Sequence, residues 1–442
     1  MSLARWGDRH PPSQALIGFV GLALVVLVVA FEVSVRPVGS IGGSDVTVYE
    51  SYASRMLDGA VPYRDFRMEY PPGAAPMFVI PATRVVAGGS TEGASWSPPN
   101  GPARRYYRGF TSFVALLVAT IALLTALTLR RMRRPARTVL LSLAVVASSP
   151  LLIGQVLLER FDVWPAALTA AALAAAVRDH YRLGGILLGF GAAAKFYPAL
   201  LVPVLVIVVI RQRGLREAIL VAGCAIGAAS AVVLPFAIAS FHDTWESLRV
   251  QFTGGLQIES VASSLLVMTS HAAEKLSAPG FPSPSAYTTH GAGHGLIRID
   301  LGGPGVAATM TVMGVLLAAV LCFLWVSLAR SKRDPREDLL RYAAATVASV
   351  LALGTVLSPQ YVVWLIPLVP LVSGHRGTAA ILLFVVAAAL TNVWIPDKYF
   401  EYQAGLGVGP TSLLLLRNLA LLGTALVLLV PASTFARGRV AG

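Results

Sequence analysis

The sequence predicts an all-α polytopic membrane protein: about twelve transmembrane helices, some of them short and broken or re-entrant, and two long outer loops. Three observations carry this. Of 442 residues, 56% are hydrophobic and only 13% charged, and the mean hydropathy is +0.70, whereas soluble domains keep about a quarter of their residues charged. Apolar runs of about 20 residues recur, long enough to cross a bilayer core as helices. The alternation of a barrel is absent, and lipid tolerates only helices and closed barrels. Finally, the positive charge follows the spans rather than forming one patch. The chain is read as a single integral membrane domain, residues 1–442. Its two cysteines, Cys224 and Cys322, fall inside apolar runs as small core residues and give no disulfide or metal framework.

The first span is residues 14–33. Arg5 and Arg9 hold its start in the cytoplasm, and the absence of a small-residue cleavage site marks it as a retained helix rather than a signal peptide. A first outer loop, 34–106, follows. Its densest part is GSDVTVYESYASRMLDGAVPYRDFRMEYPP, residues 43–72. A helix capped by Ser44 and starting near Asp45 puts Tyr49, Tyr52, Ala53, Met56 and Leu57 on one stripe, one turn beyond Asp45. Such a helix lies flat on a membrane surface with an acid at its start. The YPP turn, Tyr70 to Pro72, stiffens the chain behind it.

A short apolar piece, 73–87, returns or lies in the interface, because the Arg130, Arg131, Arg133, Arg134 and Arg137 cluster after the next span (107–129) belongs in the cytoplasm. Spans 138–154 and 163–177 flank an outer turn, QVLLERFD. Residues 183–210 are interrupted by AAAKFYP between basic flanks, so two legs of about 12 residues are implied. At helical rise each reaches about 18 Å, too short for a core of about 30 Å. This hairpin carries Lys195 to an embedded recess on the outer side, where half-helices must line a cavity or be buried in protein. Span 215–240 leads to the second outer loop, 241–304. Spans 305–330, 341–357, 362–372, 378–394 and 410–430 complete the set, with SPQY (358–361) as an outer turn and a basic tail at Arg437 and Arg439. Both ends are cytoplasmic.

Charge sorting tests this topology. The inner segments hold 20 bases against six acids, and all other segments 15 bases against 16 acids, as positive-inside sorting requires. The net charge of +13 therefore reports membrane orientation, and nucleic acid is not the partner.

The unusual polar residues gather on the outer side: Asp45, Glu69, Tyr70, Glu159, Arg160, Asp162, Lys195, Tyr197, Gln360, Tyr361, Asp397 and Lys398. Charges this close to hydrocarbon are costly, so function is the default reading. There is no Gly-rich phosphate fingerprint on a soluble domain. An outward-facing transfer enzyme must then receive its group on a lipid such as a polyprenyl phosphate sugar. That chemistry needs a base for the acceptor hydroxyl and cations for the leaving phosphate.

Asp45 is the candidate base; the alternative is an acid that only complements a helix dipole. Lys195 and Arg160 are the candidate phosphate ligands, against a snorkelling lysine and an arginine tied up by Glu159 or Asp162. No metal or other cofactor is expected, since the ExxD pair at 159–162 stands alone. Among His271, His290 and His294, His271 is favoured as an assistant to Asp45 because it closes the run SSLLVMTSH. A transporter or flippase of polyprenyl-linked sugars is the competing class, favoured only by the split 183–210 hairpin and by Arg417 inside the last span, with no repeat to support it. A noncatalytic partner of an envelope synthase is the third.

Five stretches in order, SDVTVYESYASRMLDGAVPYRDFRMEYPPG, LLERFDVWPAALTAAAL, GFGAAAKFYPALLVP, LQIESVASSLL and LSPQYVVWLIPL, resemble the polyprenol-phosphate-mannose-dependent α-mannosyltransferases of glycosyltransferase family 87. The resemblance implies a C-type glycosyltransferase fold and an inverting reaction, from a β-linked mannosyl phosphate to an α-mannoside on a glycolipid or glycan. Asp45 matches the first-loop aspartate that serves as base. Lys195, Arg160, Asp162, Glu69, Tyr70, Tyr197, Gln360 and Tyr361 are expected around the substrates. Glu259 joins them, with Ser260, where the family often carries Asn/Gln-Ser. The expected setting is the inner (plasma) membrane with the site facing outside or the periplasm. With 31 arginines, four lysines and alanine-heavy helices, the chain looks encoded by a GC-rich genome, as in an actinobacterial envelope.

Overall fold

Prolines decide where this apolar chain is α-helical and where it is not. The computed structural model describes residues 12–34, 45–83, 102–249, 254–278, 280–291 and 299–429. The Ser44 cap, the 84–100 connector, His294, Arg5, Arg9, Arg437 and Arg439 lie outside the described residues. Helix α1 is Pro12–Ser34, and α2, Asp45–Leu57, buries Asp45, Val46, Tyr49, Tyr52 and Ala53. The expected stripe ends one residue early, since Leu57 at the helix end is exposed. A 3₁₀ turn at Pro72–Ala74 runs into the short α3, Ala75–Ala82, an apolar helix of only eight residues.

Helix α4 is Pro102–Arg131, followed by α5, Ala136–Ala147. The continuous span expected over 138–154 breaks instead at Ser148, because Pro150 cannot donate to the preceding turn. Two short helices result, α6 (Ser149–Ile153) and α7 (Gln155–Leu158), hinged at Gly154 with φ of 65°. Then come α8 (Val163–Ala176), α9 (Tyr181–Ala194), α10 (Val202–Arg213) and α11 (Leu215–Ala239). The expected break at Lys195 is present: its backbone is extended (φ −155°, ψ 139°), followed by a 3₁₀ turn at Tyr197–Leu201.

The second outer loop is more structured than its Gly/Ser/Pro content suggests. It holds α12 (Phe241–Arg249), α13 (Val261–Lys275) and a three-stranded antiparallel sheet, which corrects the all-α expectation. Strand β3 (Ile299–Gly302) lies between β1 (Leu256–Gln257) and β2 (Thr288–Gly291), with Leu301 opposite both Leu256 and Thr289. Strands of two to four residues are too short for alternation to reveal. Leu256, Ile258 and Leu301 pack with Trp394, Tyr402 and Leu414 in a second apolar core.

Helices α14 (Val306–Ala329) and α15 (Pro335–Leu353) follow. Residues 362–372, expected as a helical span, wind instead as buried 3₁₀ segments, Pro359–Leu365 and Val369–Leu371, because Pro359, Pro367 and Pro370 recur too often for an α-helix. Helices α16 (Gly374–Val393), α17 (Tyr399–Gly405) and α18 (Val408–Leu429) end the described chain. Among the described residues five helices are long and apolar enough to cross a membrane by length and composition, and five shorter apolar ones accompany them, among them Gly18–Val33 and Val163–Ala176.

The segments assigned to the inner side meet at one end of the bundle. Arg211 bonds Asp338 (2.7 Å), Arg336 bonds Asp179 (2.5 Å), Arg182 pairs with Glu217 (2.8 Å), and Arg134 reaches Glu337. Four of the six inner acids are thus held by inner arginines. Just past the Arg182–Glu217 pair α9 packs between α8 and α11, close enough that a Cβ on Gly185 would stand 2.6 Å from the Val221 carbonyl oxygen.

The turn at Gly73 fits against the end of α9. A Cβ there would come within 2.6 Å of the Ala193 carbonyl carbon and the Ala194 nitrogen, one residue before Lys195. Gly73→Ala should therefore lower stability by about 1–3 kcal/mol by overpacking. A lower melting temperature of the purified protein would register it, and an unchanged one would mean that the turn yields freely.

Candidate active site

Helix α2 delivers Asp45 to the end of the bundle away from the arginine–acid pairs, where the acid is only 8% exposed. The Arg160 guanidinium, from the turn before α8, makes an ion pair with Asp45 Oδ2. Tyr49, one helical turn along, directs its hydroxyl at the same oxygen from 3.5 Å, and Tyr70 of the YPP turn does so from 3.4 Å. Burial raises both phenols above their usual range, so they stay protonated and donate. Tyr70 is held in turn by Tyr63, whose hydroxyl donates to its carbonyl at 2.5 Å. Phe78 stacks on Tyr49 at 4.5 Å, and Phe161 meets Tyr70 edge-on at 5.0 Å.

A second acid–base pair lies next to the first. Lys195, 8% exposed, sits 3.3 Å from Asp162 Oδ1, and the Trp364 indole donates to that oxygen at 2.7 Å. The ammonium also lies over the rings of Phe161 (4.7 Å), Tyr361 (5.3 Å) and Trp364 (5.9 Å), which compensates part of its lost hydration. Trp364 is sandwiched between Tyr361 at 3.9 Å and Tyr197 at 4.5 Å, and Tyr197 is fixed by a 3.0 Å hydrogen bond with Thr169. Asp162 Oδ2 is buried without a hydrogen-bond partner among the described residues. Phe161 is shared, touching Tyr49 and Tyr70 on one side and Lys195 on the other.

Glu259 closes the site from the second outer loop. It is 1% exposed, accepts from the Trp394 indole at 2.7 Å, and is an electrostatic neighbour of Arg160. Its carbonyl accepts from Arg417 at 2.6 Å and Asn418 at 3.2 Å, so Arg417 fastens the loop to α18 instead of lining a midplane path. Arg417 also bonds the Asn418 side chain, and Asn418 reaches Ser260 and Ser264. Ser260 caps α13 by accepting from the Ser263 amide. Burial pushes the Glu259 carboxyl up to about 7, against the opposing pull of Arg417 and the Trp394 hydrogen bond.

The structure brings together Asp45, Tyr70, Arg160, Asp162, Lys195, Tyr197 and Tyr361, with Glu259 beside Arg160. Glu69 lies on the far side of Tyr70, on the wall of a separate cavity. Gln360 is half-buried next to Tyr361 in a segment tied down by Gln257, which donates to Ser358 Oγ at 3.0 Å and, through its amide, to the Thr355 carbonyl at 2.9 Å. His271 is not brought to Asp45. Its Nε2 lies 2.8 Å from the Leu406 carbonyl, a tie between α13 and the loop before α18. Glu159 accepts from Tyr107 at 3.1 Å, and Lys398 pairs with Glu401 on the surface. Sequence reasoning missed Trp364, Phe161 and Trp394. Trp364 had a signal, because residues three apart eclipse in a 3₁₀ turn and Tyr361 precedes it by three.

Two neighbouring ion pairs under one aromatic wall, in a bundle whose long helices are apolar enough to cross a membrane, define the candidate site of a membrane protein. The sequence profile of glycosyltransferase family 87 matches residues 69–359, and the chain belongs to that family. Among solved structures, ArnT from Cupriavidus metallidurans bound to undecaprenyl phosphate is similar at 14% identity, over 95% of this chain and 77% of that one, with a TM-score of 0.45. No curated protein matches the chain.

The raised Glu259 carboxyl sets a pH dependence of stability. Unfolded, it loses its proton near 4.5, and folded only near 7. Between these values the native state binds more protons, so stability falls as pH rises through the window and levels off above it. Thermal melts across that window should show this decline in the wild type and a flatter profile in Glu259→Gln. Identical profiles would mean that the carboxyl is not buried in this way.

Proposed function

We propose that the protein is an inverting, polyprenyl-phosphate-sugar-dependent mannosyltransferase acting on a glycolipid or glycan at the outer face of the membrane, on a C-type fold with about twelve crossings. The observation that carries this is the convergence of Asp45 with Arg160 and of Lys195 with Asp162 around Phe161 in a chain of family 87. The inner-membrane setting and the actinobacterial origin rest on charge sorting and composition.

In this reaction Asp45 removes the proton from the acceptor hydroxyl while the oxygen attacks the anomeric carbon. The bond from that carbon to the phosphate oxygen breaks, and its electron pair leaves with the polyprenyl phosphate. Lys195 and Arg160 balance the charge that develops there. Tyr49 and Tyr70 orient the Asp45 carboxylate, and Asp162 holds Lys195 in place. The phosphate draws Arg160 away from Asp45, so donor binding itself frees the base. No step calls for a metal.

Membranes containing the protein, given radiolabelled polyprenyl-phosphate-mannose, should yield a labelled glycoside that α-mannosidase releases; translocation of the lipid without transfer would instead make it a flippase. Asp45→Asn should lower turnover by about 10²–10⁴-fold, the usual worth of a general base, while donor binding persists. Full activity would remove Asp45 from the mechanism. Lys195→Ala should raise the apparent KM for donor about tenfold, as loss of one charge-assisted contact predicts. An unchanged KM would remove Lys195 from the phosphate.

A further inference from the structure

Positive charge collects at the end of the bundle that holds the arginine–acid pairs, and there it surrounds open space. Helices α5 and α16 both pack on the buried 3₁₀ turn Val369–Leu371. Between their first turns lies a cavity of about 460 Å³. Arg134, Arg137 and His375 line it beside Thr138 and Thr378, with Leu141 and Ile381 as its apolar part. A smaller cavity, lined by Arg333, Arg341 and Arg376, adjoins it, since Val372 and Ser373 belong to both.

Little in the protein offsets these charges. Besides His375 the two linings together hold five arginines and two acids, Glu337 and Asp338. Both acids are already held: Glu337 by Arg134, and Asp338 at 2.7 Å by Arg211, which lines neither cavity. Among the described residues no ion pair engages Arg137 or Arg333.

The backbone adds to the imbalance. Helix α16 has no acid in its first turn, and Arg376 occupies that turn, where the helix dipole disfavours a cation. Its electrostatic neighbours Arg341 and Arg333 are cations as well. Ser373 stands at the N-cap, yet its hydroxyl caps nothing and has no hydrogen-bond partner among the described residues. Cations gathered at a helix N-terminus cost stability unless an anion joins them. A phosphate suits all the donors present, because its oxygens accept from guanidinium, hydroxyl and backbone amide alike.

We propose that these joined cavities bind the phosphate of an anionic phospholipid. The phosphate lies against the first turn of α16, where the Ser373 hydroxyl and the flanking arginines donate to it. The hydrocarbon follows Leu141, which is 37% exposed on α5. Helices α5 and α16 are both apolar and both begin at this cavity, so its basic rim stands where lipid headgroups meet the bundle. A free phosphate has use for the arginines and none for the apolar part. The site takes neither donor nor acceptor, so its failure leaves the transferase reading untouched.

Thermal melts of the full-length protein in detergent micelles supply the test, with phosphatidylglycerol, phosphatidylcholine or inorganic phosphate titrated in. Phosphatidylglycerol should raise the melting temperature saturably, as a ligand of the native state does, and the other two should raise it much less. Arg137→Gln and Arg333→Gln strand no paired acid, and each should raise the apparent Kd for phosphatidylglycerol about tenfold, the worth of one charge-assisted contact. Arg216→Gln removes the same charge at an exposed position outside both cavities and should leave that Kd unchanged. An equal response to phosphatidylcholine, or equal weakening by Arg216→Gln, would overturn the site. An equal response to inorganic phosphate would assign the arginines to the free ion and overturn the lipid.

Discussion

A lysine ammonium placed among aromatic rings at the edge of hydrocarbon must be paired, and much of this fold serves that requirement. Removing a charge from water costs several kcal/mol even after relaxation, and a lone buried cation would surrender its proton or unfold its surroundings. Asp162 and three ring faces answer the demand at Lys195. They come from two distant parts of the chain: Phe161 and Asp162 from the turn before α8, Tyr361 and Trp364 from the proline-rich 3₁₀ segment. The extended backbone at Lys195 itself ends α9 where the ammonium can reach them. Gly73, pressed on the residues before Lys195, and the Trp164 indole, donating to the Gly73 carbonyl at 3.1 Å, tie the first outer loop to the same point.

The opposite end of the bundle obeys a different rule. There the arginines exceed the acids, and each of Asp179, Glu217, Glu337 and Asp338 is held by an arginine from another segment. Only the Arg211–Asp338 pair is largely buried, with the side chains 14% and 1% exposed. The remaining pairs are exposed enough to contribute little individually. Their value is in sorting and in tying the loops together. Because the chain separates its polar residues in this way, the candidate site lies at the end where acids and bases are balanced.

The sequence made the long helices and the break at Lys195 legible, because hydropathy and the placing of prolines and charges along apolar runs are strong physical signals. Asp45, Arg160, Asp162 and Lys195 were named from composition near apolar runs, and they do converge. What stayed hidden was tertiary. Nothing local distinguishes His271, bonded to a carbonyl 135 residues away, from a histidine next to a base. The 362–372 stretch has the apolarity of a span, and only its prolines betray the 3₁₀ path. The strands of the second outer loop are held by pairing and by Trp394 and Tyr402 from distant segments, so period-2 alternation never develops. The signal that Trp364 carried was conditional, because its spacing from Tyr361 means contact only if the segment is 3₁₀.

The two ion pairs are built differently, and the difference matches two tasks in the proposed reaction. Asp162 is 1% exposed and fixed by the Trp364 indole, so Lys195 is held to one position, which suits a charge that must meet a phosphate without reorganising. Arg160 keeps a side chain 30% exposed, and Asp45 has two phenols directed at it besides the guanidinium. Arg160 can therefore leave Asp45 without stranding the carboxylate, because both hydroxyls remain. An aspartate that keeps an arginine partner is a poor base, since the cation favours the ionised form and so lowers its proton affinity. An aspartate that has handed that partner to a phosphate regains proton affinity when the acceptor needs it. In the proposed reaction the rigid pair sets where the donor sits, and the exchangeable pair makes basicity at Asp45 conditional on the donor's presence.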